Sequence, residues 1–199
     1  MTAKRDPLAK AAEEYSKLHG TYRDFAACVR DLVNHIVASH RIAVHSVTCR
    51  AKEPESLSRK LQRTGKTYRA LDDVTDLAGV RVITYFTDDA EKVADLIEAE
   101  FKVDHDNSVD KRRLLEPHEF GYISIHHVAC LSDPRLKLPE YSKFRGLKVE
   151  IQTRSILQHA WAEIEHDLGY KSTTQVPKQL RRRISRLAGL LELADQEFQ

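Results

Sequence analysis

The chain has 199 residues, of which 41% are hydrophobic and 31% charged, and its formal net charge is +2. This is the composition of an ordinary globular protein, and the length suffices for one well-packed domain with helical appendages. The small net charge excludes a strongly basic nucleic-acid-binding chain and leaves room only for local charged patches.

The first part of the chain is predicted to be helical. Residues 7–38 carry apolar side chains at helical spacing, and Gly20 interrupts them, so the pattern predicts two helices. Residues 42–49 alternate in polarity, which is a weak strand signal. Pro54 at a first-turn position predicts a helix that ends at Gly65.

The middle of the chain predicts a strand-to-helix unit and a second strand region. The β-branched run over residues 79–86 predicts a central strand, and Asp88 stands at the start of an amphipathic helix after it. Residues 101–103 are expected to begin another strand. A long charged loop over residues 104–119 then leads to a strand over residues 122–131.

The last part of the chain completes an α+β fold. A loop over residues 132–146 precedes a strand that ends at Gln152, a helix to about Leu168, and a last helix opened by Pro177. A mixed sheet surrounded by helices follows from this order of elements. Three parts are predicted: N-terminal helices over residues 1–40, a core domain over 41–175 and a C-terminal helix over 176–199, which could continue in a longer chain.

Two carboxylates stand at comparable places beside predicted strands. Glu150 lies between the apolar residues Val149 and Ile151, so it points away from the apolar face of its strand. Asp76 precedes the apolar run that starts at Val80. Mg²⁺ is commonly held by one or two carboxylates together with substrate phosphates, so these two acids suffice for a magnesium site. An acid at a strand edge is also often a solvated residue or a helix cap.

Positive charge is concentrated between Arg41 and Leu71. This segment has eight basic residues against two acidic ones, which leaves a local charge of +6. Lys52 precedes the helix that Pro54 opens, and Lys60 follows about two turns later. A polyanion at this helix start would meet backbone N–H groups, the helix dipole and ammonium groups together. On charge alone, a solvated basic helix face is the simpler interpretation.

Five ordered motifs, spread over about residues 46–172, resemble the synthetase domain of the RelA/SpoT family in its small single-domain form. They are Arg50-x-Lys52-x-x-x-Ser56-x-x-x-Lys60, Asp76-Leu77-Ala78-Gly79-Val80-Arg81, Gly121-Tyr122-x-Ser124-Ile125-His126, Glu150-Ile151-Gln152-x-Arg154 and Trp161-Ala162-x-Ile164-Glu165-His166-x-Leu168-x-Tyr170-Lys171. Together these motifs are far more specific than any one of them.

The resemblance implies a nucleotidyltransferase-like fold of the polymerase-β type and an ATP-dependent pyrophosphokinase. Pyrophosphate would pass from ATP to the 3′-hydroxyl of GDP or GTP, which makes (p)ppGpp for the stringent response. Asp76 and Glu150 would be catalytic and would hold Mg²⁺. The implied ATP-binding residues are Arg50, Lys52, Ser56, Lys60 and Arg81, and the implied acceptor-binding residues are Tyr122, His126, Gln152, Arg154 and His159.

Several of these residues also have simpler interpretations. Tyr122 could be a packing aromatic, and Arg81 could pair with Asp76 or Glu150. Trp161 is expected in the core between helix and sheet. His159, which lies four residues before Glu163, could contact the acceptor base without being catalytic.

One departure from the family pattern leaves the acceptor open. Guanosine alarmone synthetases usually read Asn-Gly-Tyr followed by a basic or polar residue, whereas this chain has Phe120-Gly121-Tyr122-Ile123. Cations in the preceding loop, Lys111, Arg112 and Arg113, could meet the acceptor phosphates instead. The alternatives are a toxic family member that modifies the 3′ end of tRNA, with a basic cluster in the last helix, an enzyme acting on adenosine nucleotides, or a catalytically silent nucleotide-binding regulator.

The cellular location and the assembly of the protein are predicted from its hydrophobic segments, its cysteines and its terminal helices. No segment approaches the roughly 20 apolar residues of a membrane span, and residues 1–6 start no signal-peptide hydrophobic region, so a cytoplasmic protein without a membrane partner is expected. Three well-separated cysteines favour reduced thiols. By the resemblance, the terminal helices could form a homo-oligomer.

Overall fold

A computed structural model describes residues 7–62, 68, 70–110, 124–171 and 178–198. The helices of this part are α1 (Pro7–Ser39), α2 (Pro54–Leu61), α3 (Thr87–Glu100), α4 (Pro139–Ser142), α5 (Ile156–Lys171) and α6 (Lys178–Glu197), with 3₁₀ turns at Leu71–Asp73 and Arg135–Lys137. The strands are β1 (Val44–Ala51), β2 (Ala78–Thr84), β3 (Phe101–Val103), β4 (Val109–Asp110), β5 (Ile125–Leu131) and β6 (Val149–Ser155).

Among the described residues, six strands form one mixed sheet in the order β1-β2-β6-β5-β3, and β4 pairs with β5. Strands β2 and β6 are parallel, whereas the other described pairs are antiparallel. The parallel pair lies in the middle of the sheet, where both of its edges are hydrogen-bonded. The predicted α+β class with a mixed sheet is confirmed.

One face of the sheet carries the hydrophobic core. Val80 and Val82 of β2 and Val149 and Ile151 of β6 are buried, and α1 and α3 pack over this side of the sheet. Alternation along a strand sends the residues between them to the other face. The polar residues of β2 and β6 therefore lie together on the face opposite the core.

The prediction of two N-terminal helices is wrong, because α1 is one helix of 33 residues that passes through Gly20. Gly20 is exposed and its backbone φ is not positive. A glycine inside a helix costs only about 1 kcal/mol relative to alanine. Burial of Tyr15, Tyr22 and Phe25 on both sides of it outweighs that cost, since one buried aromatic side chain contributes about 1.5–3 kcal/mol.

Several predicted boundaries shift. Helix α2 starts at Pro54 as predicted but ends at Leu61, and Gly65 lies outside the described residues. The predicted loop over residues 104–119 contains the short strand β4, which pairs with His126 and Ile125 of β5. Hydrogen bonding to a neighbouring strand, not its own sequence pattern, places β4 in the sheet.

Helix α6 contacts α5 and leaves a row of leucines in solvent. Leu187, Leu190 and Leu193 are each more than half exposed, whereas Ala188 and Asp195 are buried on another side of the helix. Within the described segments, none of the helices has the length and apolar character needed to cross a lipid bilayer.

Candidate active site

A polar cleft of about 140 Å³ opens on the face of the sheet opposite the core. Gly79 pairs with Arg50 of β1 on one side and with Glu150 of β6 on the other, so these residues share a face. Arg81, two residues further along β2, pairs with Gln152 in the same way. The described residues that line the cleft are Thr48, Cys49, Arg50, Asp76, Gly79, Val80, Arg81, Glu150 and Gln152.

Asp76 lies in the turn before β2 and binds two lysines from separate elements. Nζ of Lys52 is 3.0 Å from Oδ2, and Nζ of Lys60 on α2 is 2.7 Å from Oδ1. Burial alone would raise the pKa of Asp76, but the hydrogen bond and charge of Lys60 and the charge of Lys52 outweigh it and lower that pKa below its ordinary value. Asp76 is therefore ionised at neutral pH.

Glu150 is held by two side chains on its own face of the sheet. Nδ1 of His126 on β5 lies 3.0 Å from Oε1, and Nε2 of Gln152 donates to Oε2 at 3.0 Å. Burial works to raise the pKa of Glu150, as does the nearby charge of Asp76, yet His126 and Gln152 together lower it. Asp76 and Glu150 line the same cleft, so the two carboxylates are close enough to act on one bound ligand.

Arg81 is oriented by helix α5. Its Nη1 donates to Oε1 of Glu163 at 3.0 Å. The ion-pair partner of Arg81 in this contact is therefore Glu163, and not Asp76 or Glu150 as the simpler interpretation of the sequence had it. Nδ1 of His159 lies 3.7 Å from the same oxygen. Burial and the charges of Arg154 and Arg81 lower the pKa of His159, which keeps its imidazole neutral at pH 7.

The other predicted site residues lie around the cleft instead of lining it. Arg154 is 2% exposed, and the described lining includes neither Arg154 nor His159. Ser56 lies on α2 and accepts a hydrogen bond of 3.1 Å from Nη2 of Arg59. Trp161 is buried, as expected for a residue between helix and sheet. The predicted roles of Arg154, His159 and Ser56 in binding remain predictions.

Some predicted residues lie outside the part of the chain that the structure describes. They include Tyr122 and its neighbours over residues 120–123, and the loop cations Lys111, Arg112 and Arg113. Of the predicted acceptor-binding residues that the structure describes, His126 and Gln152 contact Glu150.

The carboxylates fit a magnesium ion that shares its coordination with a substrate. No group of three or more His, Cys, Asp or Glu side chains within the described residues could hold a metal alone. Asp76 and Glu150 supply two ionised oxygen donors, which suits Mg²⁺ when phosphate oxygens and water complete the shell. Lys52 and Lys60 on Asp76 show that this carboxylate already accepts cationic partners.

Sequence reasoning did not assign two contacts of the site. The spacing of four residues on one helix face predicts that Glu163 neighbours His159. The local sequence gives no signal for its contact with Arg81, which lies 82 residues away in the chain. The predicted acceptor role of His126 stays a prediction, and the structure adds a contact of this residue with Glu150. The antiparallel pairing of β5 with β6 creates that contact, and the linear sequence does not show strand pairing.

Comparison with known proteins identifies relatives over most of the chain. A family model described as "Region found in RelA / SpoT proteins" matches residues 49–175. GTP pyrophosphokinase YjbM of Bacillus subtilis (strain 168) is 31% identical over 158 residues, which cover 78% of this chain and 70% of the relative. GTP pyrophosphokinase YwaC of the same organism is 29% identical over 169 residues, with 82% and 76% covered.

Solved structures of similar fold also include proteins of the GTP pyrophosphokinase family. A GTP pyrophosphokinase family protein from Streptococcus pneumoniae superposes with a TM-score of 0.76 at 26% identity, covering 93% of this chain and 91% of its own. The small alarmone synthetase 1 of Bacillus subtilis, bound to its product pppGpp, has a TM-score of 0.76 at 25% identity, with 94% and 95% covered. The predicted fold class agrees with these neighbours.

Proposed function

This chain belongs to the RelA/SpoT family, and we propose that it is a GTP pyrophosphokinase that transfers pyrophosphate from ATP to the 3′-hydroxyl of GDP or GTP. The products would be ppGpp and pppGpp. The observation that carries this proposal is the cleft lined by two carboxylates, Asp76 and Glu150, and two guanidinium groups, Arg50 and Arg81. The relatives that bear the name GTP pyrophosphokinase support the same reaction.

Arg50 and Arg81 would bind the donor base. A guanidinium plane stacks on an aromatic ring while keeping its charge, and residues on neighbouring strands can hold two such planes near one base. Glu163 fixes the direction of Arg81 through the 3.0 Å contact. We infer that adenine lies against these arginines, which leaves the triphosphate near Asp76.

Lys52 and Lys60 would bind the donor phosphates. Their ammonium groups converge on Asp76 from the end of β1 and from α2, within 3.0 and 2.7 Å of its oxygens. A phosphate chain close to Asp76 would share these cations with the carboxylate. Ser56, on the same helix as Lys60, would add a hydroxyl donor.

In the proposed transfer, the 3′-oxygen of the acceptor forms a bond to the β-phosphorus of ATP. The bond from that phosphorus to the oxygen bridging the α-phosphate breaks, AMP leaves with the electron pair, and the proton of the 3′-hydroxyl is released to water. Mg²⁺ held by Asp76 and Glu150 would neutralise charge on the transferred group. Glu150 is ionised at neutral pH and can accept a hydrogen bond from the 3′-hydroxyl, but its low pKa makes it a weak base, so positioning carries most of its effect.

Transfer to the 3′ end of tRNA is the second candidate. Arg182, Arg183 and Arg186 of α6 are exposed, and exposed arginines are suited to phosphate contacts along a nucleic acid. Gly121-Tyr122-Ile123 lacks the basic or polar residue that usually follows the tyrosine in guanosine alarmone synthetases. A silent regulator is disfavoured, because Asp76, Glu150 and Lys52 are all present.

The biological setting is part of the same proposal. Alarmone synthesis of this type serves the stringent response, and such an enzyme would act in the cytoplasm. Its partners would be ATP and a guanosine nucleotide, and a homo-oligomer is proposed from the family resemblance alone.

A transfer assay separates the candidates. The protein is incubated with Mg²⁺ and ATP labelled at the β-phosphate, together with GDP, GTP, unlabelled ATP as acceptor, or bulk tRNA, and the products are separated. We expect label in ppGpp and pppGpp, and no transfer by Glu150→Gln under the same conditions.

The outcomes differ for each function. Label in tRNA alone would establish the second candidate, and label in an adenosine product would establish the adenosine-nucleotide alternative. No transfer to any acceptor by the wild-type protein would contradict the proposed function.

A further inference from the structure

Tyr15 of helix α1 contacts the backbone behind the phosphate end of the cleft. Its side chain is fully buried, and its hydroxyl donates a hydrogen bond to the carbonyl oxygen of Lys52 at 2.5 Å. The same hydroxyl lies 3.4 Å from the carbonyl oxygen of Leu77. The N–H of Lys52 donates to that Leu77 carbonyl at 2.8 Å. The tyrosine thus joins two chain segments that already pair with each other.

These two segments carry the charged groups at the phosphate end. Lys52 follows β1 directly, and Leu77 follows Asp76 directly, just before β2 begins. Nζ of Lys52 and Oδ2 of Asp76 are 3.0 Å apart on the cleft side. We call the backbone contact between Lys52 and Leu77 the junction. The hydroxyl of Tyr15 contacts the junction from the side opposite the cleft, whereas the side chains of Lys52 and Asp76 meet on the cleft side.

The environment of Tyr15 keeps it a hydrogen-bond donor. Burial, together with the nearby Tyr22 and acidic groups, raises the pKa of its phenol well above its ordinary value, so the hydroxyl stays protonated at every working pH. The rings of Tyr15 and Tyr22 lie 5.4 Å apart, and His19 packs against Tyr15 at 5.6 Å. These contacts fix the direction of the phenol.

We propose that Tyr15 is a positioning residue for pyrophosphate transfer, and this inference rests on the proposed function. It touches no reacting atom. It holds the backbone of Lys52 and of the Asp76–Leu77 turn so that ammonium and carboxylate meet the donor phosphates in one geometry. A shift of about 1 Å at such groups can lower a rate by about a hundredfold. Helix α1 precedes the residues matched by the family model and would still be part of the catalytic unit.

The decisive variant is Tyr15→Phe, which keeps the buried ring and removes only the hydroxyl. Two controls come from the same helix. Tyr22→Phe removes a hydroxyl from the same buried aromatic group, and Val33→Ala removes buried apolar volume and lowers the melting temperature without touching the junction. For each variant we would measure kcat, KM for ATP, affinity for the ATP analogue AMPCPP by calorimetry, and melting temperature.

We expect Tyr15→Phe to lower kcat/KM for ATP by at least tenfold and to weaken AMPCPP binding by at least threefold. Tyr22→Phe and Val33→Ala should stay within twofold of wild type in both, measured well below their melting temperatures. Wild-type kinetics and AMPCPP affinity in folded Tyr15→Phe would overturn the proposal. So would an equal loss in Val33→Ala at an equal melting temperature, because that would show a general effect of stability.

Failure of the function and failure of this inference give different results. If the wild-type protein transfers nothing, the proposed function fails, and AMPCPP affinity still reports on the junction. If the wild-type protein is active and Tyr15→Phe matches it in kinetics and binding, only the inference about Tyr15 fails.

Discussion

The ammonium nitrogen of Lys60, on helix α2, lies 2.7 Å from Oδ1 of Asp76 in the turn before β2. This contact brings the basic segment of the sequence to the carboxylate that is proposed to bind metal. It explains why a half-buried aspartate remains ionised. It also places a cation where donor phosphates are expected, so charge neutralisation and substrate binding use the same group.

Removal of either carboxylate charge should lower the rate of pyrophosphate transfer strongly. We expect Asp76→Asn and Glu150→Gln each to lower the transfer rate by at least about a hundredfold, because loss of a metal ligand should exceed the 10–100-fold effect of outer-shell partners. Circular dichroism should show an unchanged fold. Turnover near the wild-type level in either variant would rule out the metal assignment.

The stability of the protein should fall in acid partly because of these same residues. Both carboxylates have pKa values below the ordinary 3.8 for Asp and 4.5 for Glu. Their stabilising effect is therefore fully present above those ordinary values and is lost as the pH falls through the lower folded values. Urea unfolding between pH 7 and pH 3 should show a shallower acid loss in Asp76→Asn. An identical pH dependence in wild type and variant would contradict this.

Glu163 should affect ATP binding through Arg81 with little effect on stability. The pair is partly exposed, and exposed ion pairs contribute only about 0–1 kcal/mol to folding. We expect Glu163→Gln to raise KM for ATP about threefold to tenfold by freeing the guanidinium, which corresponds to roughly 0.6–1.4 kcal/mol. In a double-mutant cycle with Arg81→Ala, the second substitution should add nothing. Independent, additive effects would show that Glu163 does not act through Arg81.

Asp195 should stabilise the docking of α6. It is 5% exposed, and its Oδ2 accepts hydrogen bonds of 2.7 Å from the hydroxyls of both Thr87 and Ser155. Asp195→Ala would leave two hydroxyls without this acceptor, so we expect the free energy of unfolding to fall by about 1–3 kcal/mol. Glu197→Ala, at an exposed position of the same helix, should change it by less than about 0.5 kcal/mol. Urea denaturation measures both, and equal effects would refute the docking role.

Tyr122 is the main sequence-based prediction on the acceptor side. Stacking of a base on an aromatic ring is worth about 1–3 kcal/mol. We therefore expect Tyr122→Ala to raise the acceptor KM by about fivefold or more while KM for ATP stays unchanged. Steady-state kinetics with GDP and GTP test this, and unchanged acceptor kinetics would exclude stacking.

The charged residues of the candidate site could be predicted from the local sequence pattern. Glu150 stands between apolar residues whose period of two places it on the polar face, and period is a property of consecutive residues. Asp76 directly precedes the apolar run of β2, so its place at the start of that strand could also be predicted from the local sequence. Pro54 marked the start of α2 for an equally local reason. The prediction of a helix break at Gly20 was wrong because local helix propensity is weak. Burial of the aromatic residues around Gly20 stabilises α1 as one continuous helix.

The family, the α+β class and the two candidate carboxylates could be read from the linear chain, because ordered motifs and side-chain periodicity are properties of consecutive residues. Three contacts become visible only in the folded chain: His126 supports Glu150, Glu163 directs Arg81, and Tyr15 lies behind Lys52. These contacts join residues from elements far apart in the chain. Their distances depend on strand pairing and helix packing, which arise only when the whole core is buried.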